Sequence, residues 1–596
     1  MDYKAVNSLA TMFFDQADAL GHKPFLWAKK DGAFQAMTYS EAAKRVSLLA
    51  LGLRAIGVRK GDRVVLVSEN RPDWVVTDLA ICALGAVSVP AYTTNTTDDH
   101  QHILEHSGAK AVIVSTARLA SRLLPAARMA GDCEFVVAMD GLPEEKGEGV
   151  QCLVLSEVLA MGKEQTDDIR LVASEIGRDD VVCFIYTSGT GGRPKGVMLT
   201  NGSILANCYS AYDLLQELGL GDEIFLSLLP LSHAYEHTCG LFFPISIGAQ
   251  IYYAEGPDRI AQNLQEARPT IMTAVPRLYE VLHDRIRRGV DQAGGLKAKM
   301  FHKAVELGRK RYEAPASLSF VERIQDSLLD AMVRKKVSQR FGGRLKTFVS
   351  GGAALNPDIG AFFLSLGVPI LQGYGQTEAS PVISCNRPKK IRIETVGPAL
   401  AGVQIRIADD GEILARGELL MKGYWRDKET TAATIVDGWL HTGDIGVVED
   451  DGYLKITDRK KDIIVNSGGD NIAPARIEGV LTIEPAIAQA MVHGDKRPYL
   501  VAVLVPSDEF VSQWATLNSR EADLAMLSED PDFYSALAKV MERVNQTLSQ
   551  VEKVRHFIIA TGPFTTDNAM MTPTLKIRRH VVRETYGQSL EGLYVR

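Results

Sequence analysis

Residues Tyr186–Gly196 read YTSGTGGRPKG: four glycines, three hydroxyls (Thr187, Ser188, Thr190), two cations (Arg193, Lys195) and a proline. The VVCFI before them, residues 181–185, is apolar and largely β-branched, which predicts a buried strand ending at this loop. Glycine lets backbone N–H groups approach an anion closely and takes turns barred to other residues. Hydroxyls add donors and Lys195 adds a point charge. Thr187, Ser188, Gly189, Thr190 and Lys195 therefore form a candidate polyphosphate cradle. It is not the P-loop of nucleoside triphosphatases, because Gly196 rather than Ser or Thr follows Lys195 and the glycine spacing differs. Taken alone, the stretch also fits a plain glycine-rich surface loop.

Working outward, the chain alternates short apolar runs with amphipathic stretches. Upstream, a helix capped by Ser40 and ending at Gly57 precedes strands at 63–68, 87–91 and 111–115, with helices at 72–84 and 100–106 between them. Residues 131–180 are less regular, and 144–149 read as an acidic loop. Downstream, the expected elements are a helix over 203–218, strands at 223–229, 249–254 and 270–274, and several exterior helices over 277–341. This alternation predicts a parallel sheet with covering helices. Two more strands, 346–349 and 369–372, run into Ser350-Gly351-Gly352-Ala353 and Gly373-Tyr374-Gly375-Gln376-Thr377-Glu378. Ligands of open α/β sheets bind at such carboxyl ends. Tyr374 offers a flat face for a base, and Glu378 is the carboxylate placed to hold a magnesium ion beside phosphates.

From 396 to 453 short strands with Asp-Gly turns predict a small barrel or antiparallel sheet. The charged run Asp458–Asp462 marks a domain boundary, and residues 463–596 suffice for a compact α+β domain. At 596 residues two or more domains are expected. A net charge of −7 argues against a nucleic-acid binder that relies on bulk positive charge. Seven scattered cysteines without a CxxC pair favour reduced thiols in the cytoplasm over disulfides or zinc. No stretch reads as a transmembrane span, since the apolar windows 74–92 and 240–253 are short and broken. Peripheral contact with the inner face of a membrane stays open, as does the oligomeric state.

The quoted loop, PLSH at 230–233, QGYGQTE at 372–378, GWLHTGD at 438–444, DRKKD at 458–462 and PTLKIRR at 573–579 resemble the signature segments of the acyl-adenylate-forming superfamily. That superfamily contains acyl-CoA synthetases, peptide-synthetase adenylation domains and firefly-type luciferases. The segments follow the superfamily's order. AVPRLYE at 274–280, the helical insert after it and DRKKDIIVNSGGDNIAP from 458 look most like long-chain fatty-acid–CoA ligases.

The resemblance implies an α/β fold with a large N-terminal AMP- and acyl-binding domain (1–458) of parallel-type sheets plus a small β-barrel. A small mobile C-terminal lid domain (459–596) would follow. It implies activation of a fatty acid with MgATP to an acyl-adenylate, then transfer to the thiol of coenzyme A. Thr187–Thr190 and Lys195 would hold the β- and γ-phosphates. Gly351, Gly352 and Ala353 would form one wall of the adenine slot and Tyr374 the other. Thr377 would contact the α-phosphate, Glu378 the Mg²⁺, and Asp444 with Arg459 the ribose. His233 would line the acyl site, Lys461 would be the hinge and Lys576 the adenylation lysine.

Gly191 replaces the usual second threonine of the loop, Leu575 the glycine before the catalytic lysine, and Arg476 a glutamate, this last with an expected effect on packing only. On residue type alone Asp444 also fits a turn, Lys576 a solvated cation and His233 a core histidine. Rival readings are an enzyme delivering to a carrier-protein thiol, a luciferase-like oxygenase and an inactive nucleotide-binding regulator.

Overall fold

The computed structural model describes the chain except residues 143–148, 188–192, 469, 573–575 and 596 and the side chain of Asn471. The acidic loop at 144–149 therefore lies almost wholly outside the described residues. The chain divides into two compact units: 1–406, 414–442 and 448–455 in the larger, and 407–413, 443–447 and 456–596 in the smaller.

The larger unit holds two eight-stranded sheets. In the first, Val181–Thr187, Val87–Ala91, Arg63–Val67, Ala109–Val114, Phe135–Ala138 and Gln151–Val154 lie side by side, each pair parallel. The last two strands fall in the region that reads as irregular in sequence. In the second sheet, Ile370–Gly375, Thr347–Ser350, Ile271–Ala274, Ile224–Ser227, Gln250–Tyr253 and Pro24–Lys30 are likewise parallel neighbours. Their near-continuous Val, Ile and Phe content suits strands covered on both faces. The alternation predicted a parallel sheet; the molecule builds two.

The helix expected to start at Ser40 spans Tyr39–Ala55 and is capped two residues earlier. The Thr38 hydroxyl accepts from the Glu41 N–H, and Glu41 reaches back to the Thr38 N–H, a reciprocal capping box.

Two departures bear on function. Lys195–Thr200 is a strand, antiparallel to Val181–Thr187, in a stretch before the helix expected from 203 where no strand is expected from the sequence. Gly373-Tyr374-Gly375 is not a loop either. It continues the strand Ile370–Gly375 and pairs antiparallel with Val382–Cys385. Glycine is required at 375, because a Cβ there would lie 1.8 Å from the Pro381 carbonyl oxygen.

A third, five-stranded sheet is drawn from residues 404–459. Its strand order is an open path with one branch, so of the barrel or antiparallel sheet expected here the described residues form an open sheet. Beyond residue 460 the smaller unit has a three-stranded sheet of Ile487–His493, Leu500–Pro506 and Val554–Ile559. Helices Pro474–Leu481 and Pro531–Thr547 share a core with one face, and Arg579–Gly592 with the other. Arg476 is exposed there and ion-pairs with Glu552.

Candidate functional site

In the larger unit, Thr187 ends one strand of the first hairpin and Lys195 begins the other, facing it in register. Ser188, Gly189, Thr190 and Gly191 lie outside the described residues. The stems of the hairpin are held from the side by the helix Thr97–Ser107. His102 Nε2 lies 2.9 Å from the Pro194 carbonyl oxygen, and His106 Nδ1 2.9 Å from the Tyr186 hydroxyl.

Lys195 does not stand alone. Its Nζ donates to Thr430 Oγ1 (2.8 Å), lies 3.0 Å from Asp427 Oδ2, and sits 5.4 Å from the centre of the Tyr424 ring. The Thr430 hydroxyl and N–H, with Lys195, hold the Asp427 carboxyl down at about 2. Asp427 also caps the short helix Lys428–Thr434.

On the second hairpin Thr377-Glu378-Ala379 form a 3-10 turn just past the strand. Glu378 is half-buried and accepts from the Tyr424 hydroxyl (2.8 Å) through Oε1. Its Oε2 takes no hydrogen bond from protein among the described residues, leaving an oxygen for a cation. Tyr424 belongs to the two-residue strand Gly423–Tyr424, antiparallel to Lys195–Thr200. One tyrosine thus touches the cation of one hairpin and the carboxylate of the other. Burial, then the Glu378 charge, raises its hydroxyl pKa, so it stays a donor.

Gly351, Gly352 and Ala353 follow the strand Thr347–Ser350, with Gly351 buried and the next two exposed. Tyr374 is buried within its strand rather than displayed on a loop. His233 is half-buried, and its Nδ1 accepts from the Tyr235 N–H (3.2 Å), so it is not a fully buried core histidine.

The segment after His233 is a π-helical turn, Glu236–Phe242, a distortion often found at functional sites. Glu236 is fully buried and takes hydroxyl bonds from Ser227 (2.6 Å) and Thr273 (2.7 Å). A Cβ at Gly240 would lie 2.3 Å from its carboxylate, so glycine makes room for it. Burial pushes the Glu236 carboxyl up to about 7, against the pull of the two hydroxyls. Beside it, His237 and Asp78 form a buried pair 2.9 Å apart.

In the smaller unit, Asp444 lies within the strand Trp439–Val448, buried, with Arg459 Nε 3.2 Å from its Oδ1. It is therefore no turn residue, although Thr442-Gly443 before it reads like one. Lys461 is exposed in the turn after Leu454–Arg459 and makes no ion pair among the described residues. Lys576 is exposed; its N–H donates to Thr572 Oγ1 (3.0 Å), and its carbonyl accepts from the Thr572 N–H (2.8 Å). Leu575 lies outside the described residues.

Sequence reasoning missed Tyr424, Asp427 and Thr430. The signal was GYWRDKET at 423–430, an aromatic pair followed by a capping aspartate, which names no chemistry until the hairpins are folded against it.

Parallel sheets in a large unit, followed by a small unit, define an α/β architecture. The profile of the AMP-binding enzyme family matches residues 13–425, and that of the AMP-binding enzyme C-terminal domain matches 461–596. The chain belongs to the AMP-binding enzyme family. It is 33% identical over 573 residues to the long-chain-fatty-acid–CoA ligase FadD15 of Mycobacterium tuberculosis, covering 95% of this chain and 93% of that one. It is 30% identical over 591 residues to the peroxisomal long chain acyl-CoA synthetase 7 of Arabidopsis thaliana, covering 94% and 82%. Among solved structures, the A domain of carboxylic acid reductase from Segniliparus rugosus, in complex with AMP and a co-purified carboxylic acid, shares the fold. Its TM-score is 0.78 at 23% identity, covering 99% of this chain and 94% of that one.

Proposed function

We propose that this protein is an AMP-forming long-chain fatty-acid–CoA ligase. The observation that carries the reading is the meeting of Lys195 and Glu378 on Tyr424, which sets a cation and a carboxylate beside the same hairpin edge. The relatives named as long-chain ligases, matched over most of both chains, support the substrate class.

A carboxylate is a poor acylating agent because its leaving group would be oxide. Attack of its oxygen on the α-phosphorus of ATP forms the acyl–phosphate bond, breaks the bond to the β-phosphate and releases pyrophosphate. The thiol of coenzyme A, losing its proton, then attacks the acyl carbon and releases AMP. The obstacle to the first step is electrostatic, one anion approaching another. Thr187, Ser188, Gly189, Thr190 and Lys195 hold the β- and γ-phosphates in this reading, and Thr377 the α-phosphate. Lys195 is already paired with Asp427, so an arriving phosphate competes with that carboxylate. Magnesium, arriving as MgATP, neutralises phosphate charge, and Glu378 Oε2 is the protein oxygen that fits it.

Gly351, Gly352, Ala353 and Tyr374 contact adenine, Asp444 and Arg459 the ribose, and His233 the acyl end. Lys576 supplies charge as pyrophosphate departs. The bulky coenzyme must later reach the same carbonyl, so the smaller unit turns about Lys461 between steps. The scattered cysteines, with no CxxC pair, support a reducing compartment, which we take to be the cytoplasm.

The test is pyrophosphate release and thioester formation across C2–C20 acids, with coenzyme A or a carrier protein as acceptor. Each buried methylene contributes about 0.8 kcal/mol, so kcat/KM should climb steeply with chain length until the apolar tunnel that this reading requires is full. A preference for acetate or an aromatic acid would sink the long-chain assignment. Acyl transfer to the carrier protein alone would move the enzyme to that class.

A further inference from the structure

A surface helix ordinarily turns its apolar stripe to the core and its charges to water. The helical run 320–340 departs from this by turning a second apolar row to water. It is an α-helix over Phe320–Leu329, a π-helical turn over Asp330–Arg334 and a final α-helix over Lys335–Arg340. Its acids are drawn to basic partners. Glu322 pairs with Lys310 (2.8 Å), and Asp326, buried, pairs with Arg334 (2.5 Å) and Arg311 (2.9 Å). Asp330 pairs with Arg334 as well (2.6 Å). Among its large apolar residues only Leu329 and Val333 are buried.

The outward side carries Val321, Ile324, Leu328 and Met332, spaced three, four and four residues apart and so on one face. They are 62%, 48%, 58% and 49% exposed, and Phe320 at the helix start is 78% exposed. Single exposed apolar residues are ordinary, but a contiguous row marks an interaction site.

Charge selects the occupant. Lys335, Lys336 and Arg340 are exposed and have no carboxylate partner among the described residues. The surrounding stretch 277–341 holds fifteen Lys and Arg against eight Asp and Glu, a formal +7 inside a chain of −7. A second copy docked face to face would set like charge against like. An anionic lipid surface offers hydrocarbon for the apolar row and phosphates for the cations.

We propose that the helical run 320–340 docks on an anionic bilayer. Phe320, Val321, Ile324, Leu328 and Met332 enter the headgroup–acyl boundary, and Lys335, Lys336 and Arg340 meet lipid phosphates. This inference stands apart from the enzymatic reading, though together they put the enzyme where a long-chain acid partitions.

The experiment is co-sedimentation of the full chain with phosphatidylglycerol–phosphatidylcholine vesicles and with pure phosphatidylcholine vesicles, at low and high salt. The wild type should sediment with the anionic vesicles and release at high salt. Ile324→Asp combined with Leu328→Asp should weaken binding more than about tenfold, from the lost burial of two side chains. Lys335→Glu combined with Lys336→Glu should weaken it about tenfold or more at low salt and little at high salt. Both variants should unfold at the wild-type temperature, because these side chains are already exposed.

Wild type left in the supernatant with anionic vesicles would overturn the proposal, as would a double aspartate variant that binds like wild type. Equal binding to both vesicle types would overturn the phosphate contacts. Self-association that the aspartates abolish, without vesicle binding, would assign the face to a second copy instead.

Discussion

The hairpins 181–200 and 370–385 share one plan and differ in what they carry. Each begins as the outermost parallel strand of its sheet, passes a glycine-containing stretch and returns antiparallel. The first brings a lysine to the return strand; the second brings a carboxylate to the turn. Glycine serves a different end in each. In the first its backbone freedom would serve the phosphate cradle we propose, whereas at Gly375 it admits a neighbouring carbonyl that any side chain would strike. A glycine-rich signature therefore reports close approach, and what approaches must be read from the fold.

The comparison assigns unequal weights to the two hairpins, which mutations can break. Glu378→Gln removes the charge that the proposed function assigns to magnesium while keeping the shape. Pyrophosphate release with fatty acid should fall about 10²–10³-fold, the scale of one lost electrostatic contact to a developing charge. Wild-type turnover would show that the second hairpin is only scaffold.

Tyr424→Phe keeps the ring beside Lys195 and removes the bond to Glu378. A hydrogen bond to a charged group is worth about 1.5–3 kcal/mol, so turnover should drop about tenfold to a hundredfold. In the Glu378→Gln background the same change should cost much less. Additive losses would mean that the tyrosine acts elsewhere.

Glu236→Gln should alter stability and barely touch turnover. The folded protein keeps a proton on Glu236 up to about pH 7, whereas an ordinary glutamate releases it near 4.5. The folded state then binds more protons than the unfolded state between those values, so wild-type stability falls as pH rises through that window. Within that window the loss runs at up to about 1.4 kcal/mol per pH unit. Urea unfolding followed from pH 4.5 to 8 should show a flatter profile in the variant. An unchanged slope would place the proton elsewhere.

How far the sequence foretold this site depends on the range over which each residue is determined. Val181–Thr187 was legible because an apolar β-branched run fixes its own strand. Lys195–Thr200 was not, since six residues behind a glycine stretch show little period and owe their pairing to a partner strand. Tyr374 reads as a loop residue because glycines flank it, yet pairing with Val382–Cys385 overrides that local preference. Asp444 follows a turn-like Thr-Gly but lies mid-strand beside Arg459. Tyr424 carries no motif, and its place between two charges comes from strand pairing alone.

The central claim is that the carboxylate of a fatty acid attacks ATP to give an enzyme-held acyl-adenylate. Isotope exchange between labelled pyrophosphate and ATP, measured without coenzyme A, tests it most directly, because exchange requires that step to run both ways. The account predicts exchange that needs magnesium and a long-chain acid and falls with Glu378→Gln. Exchange that ignores the acid, or none under conditions where thioester forms, would contradict it.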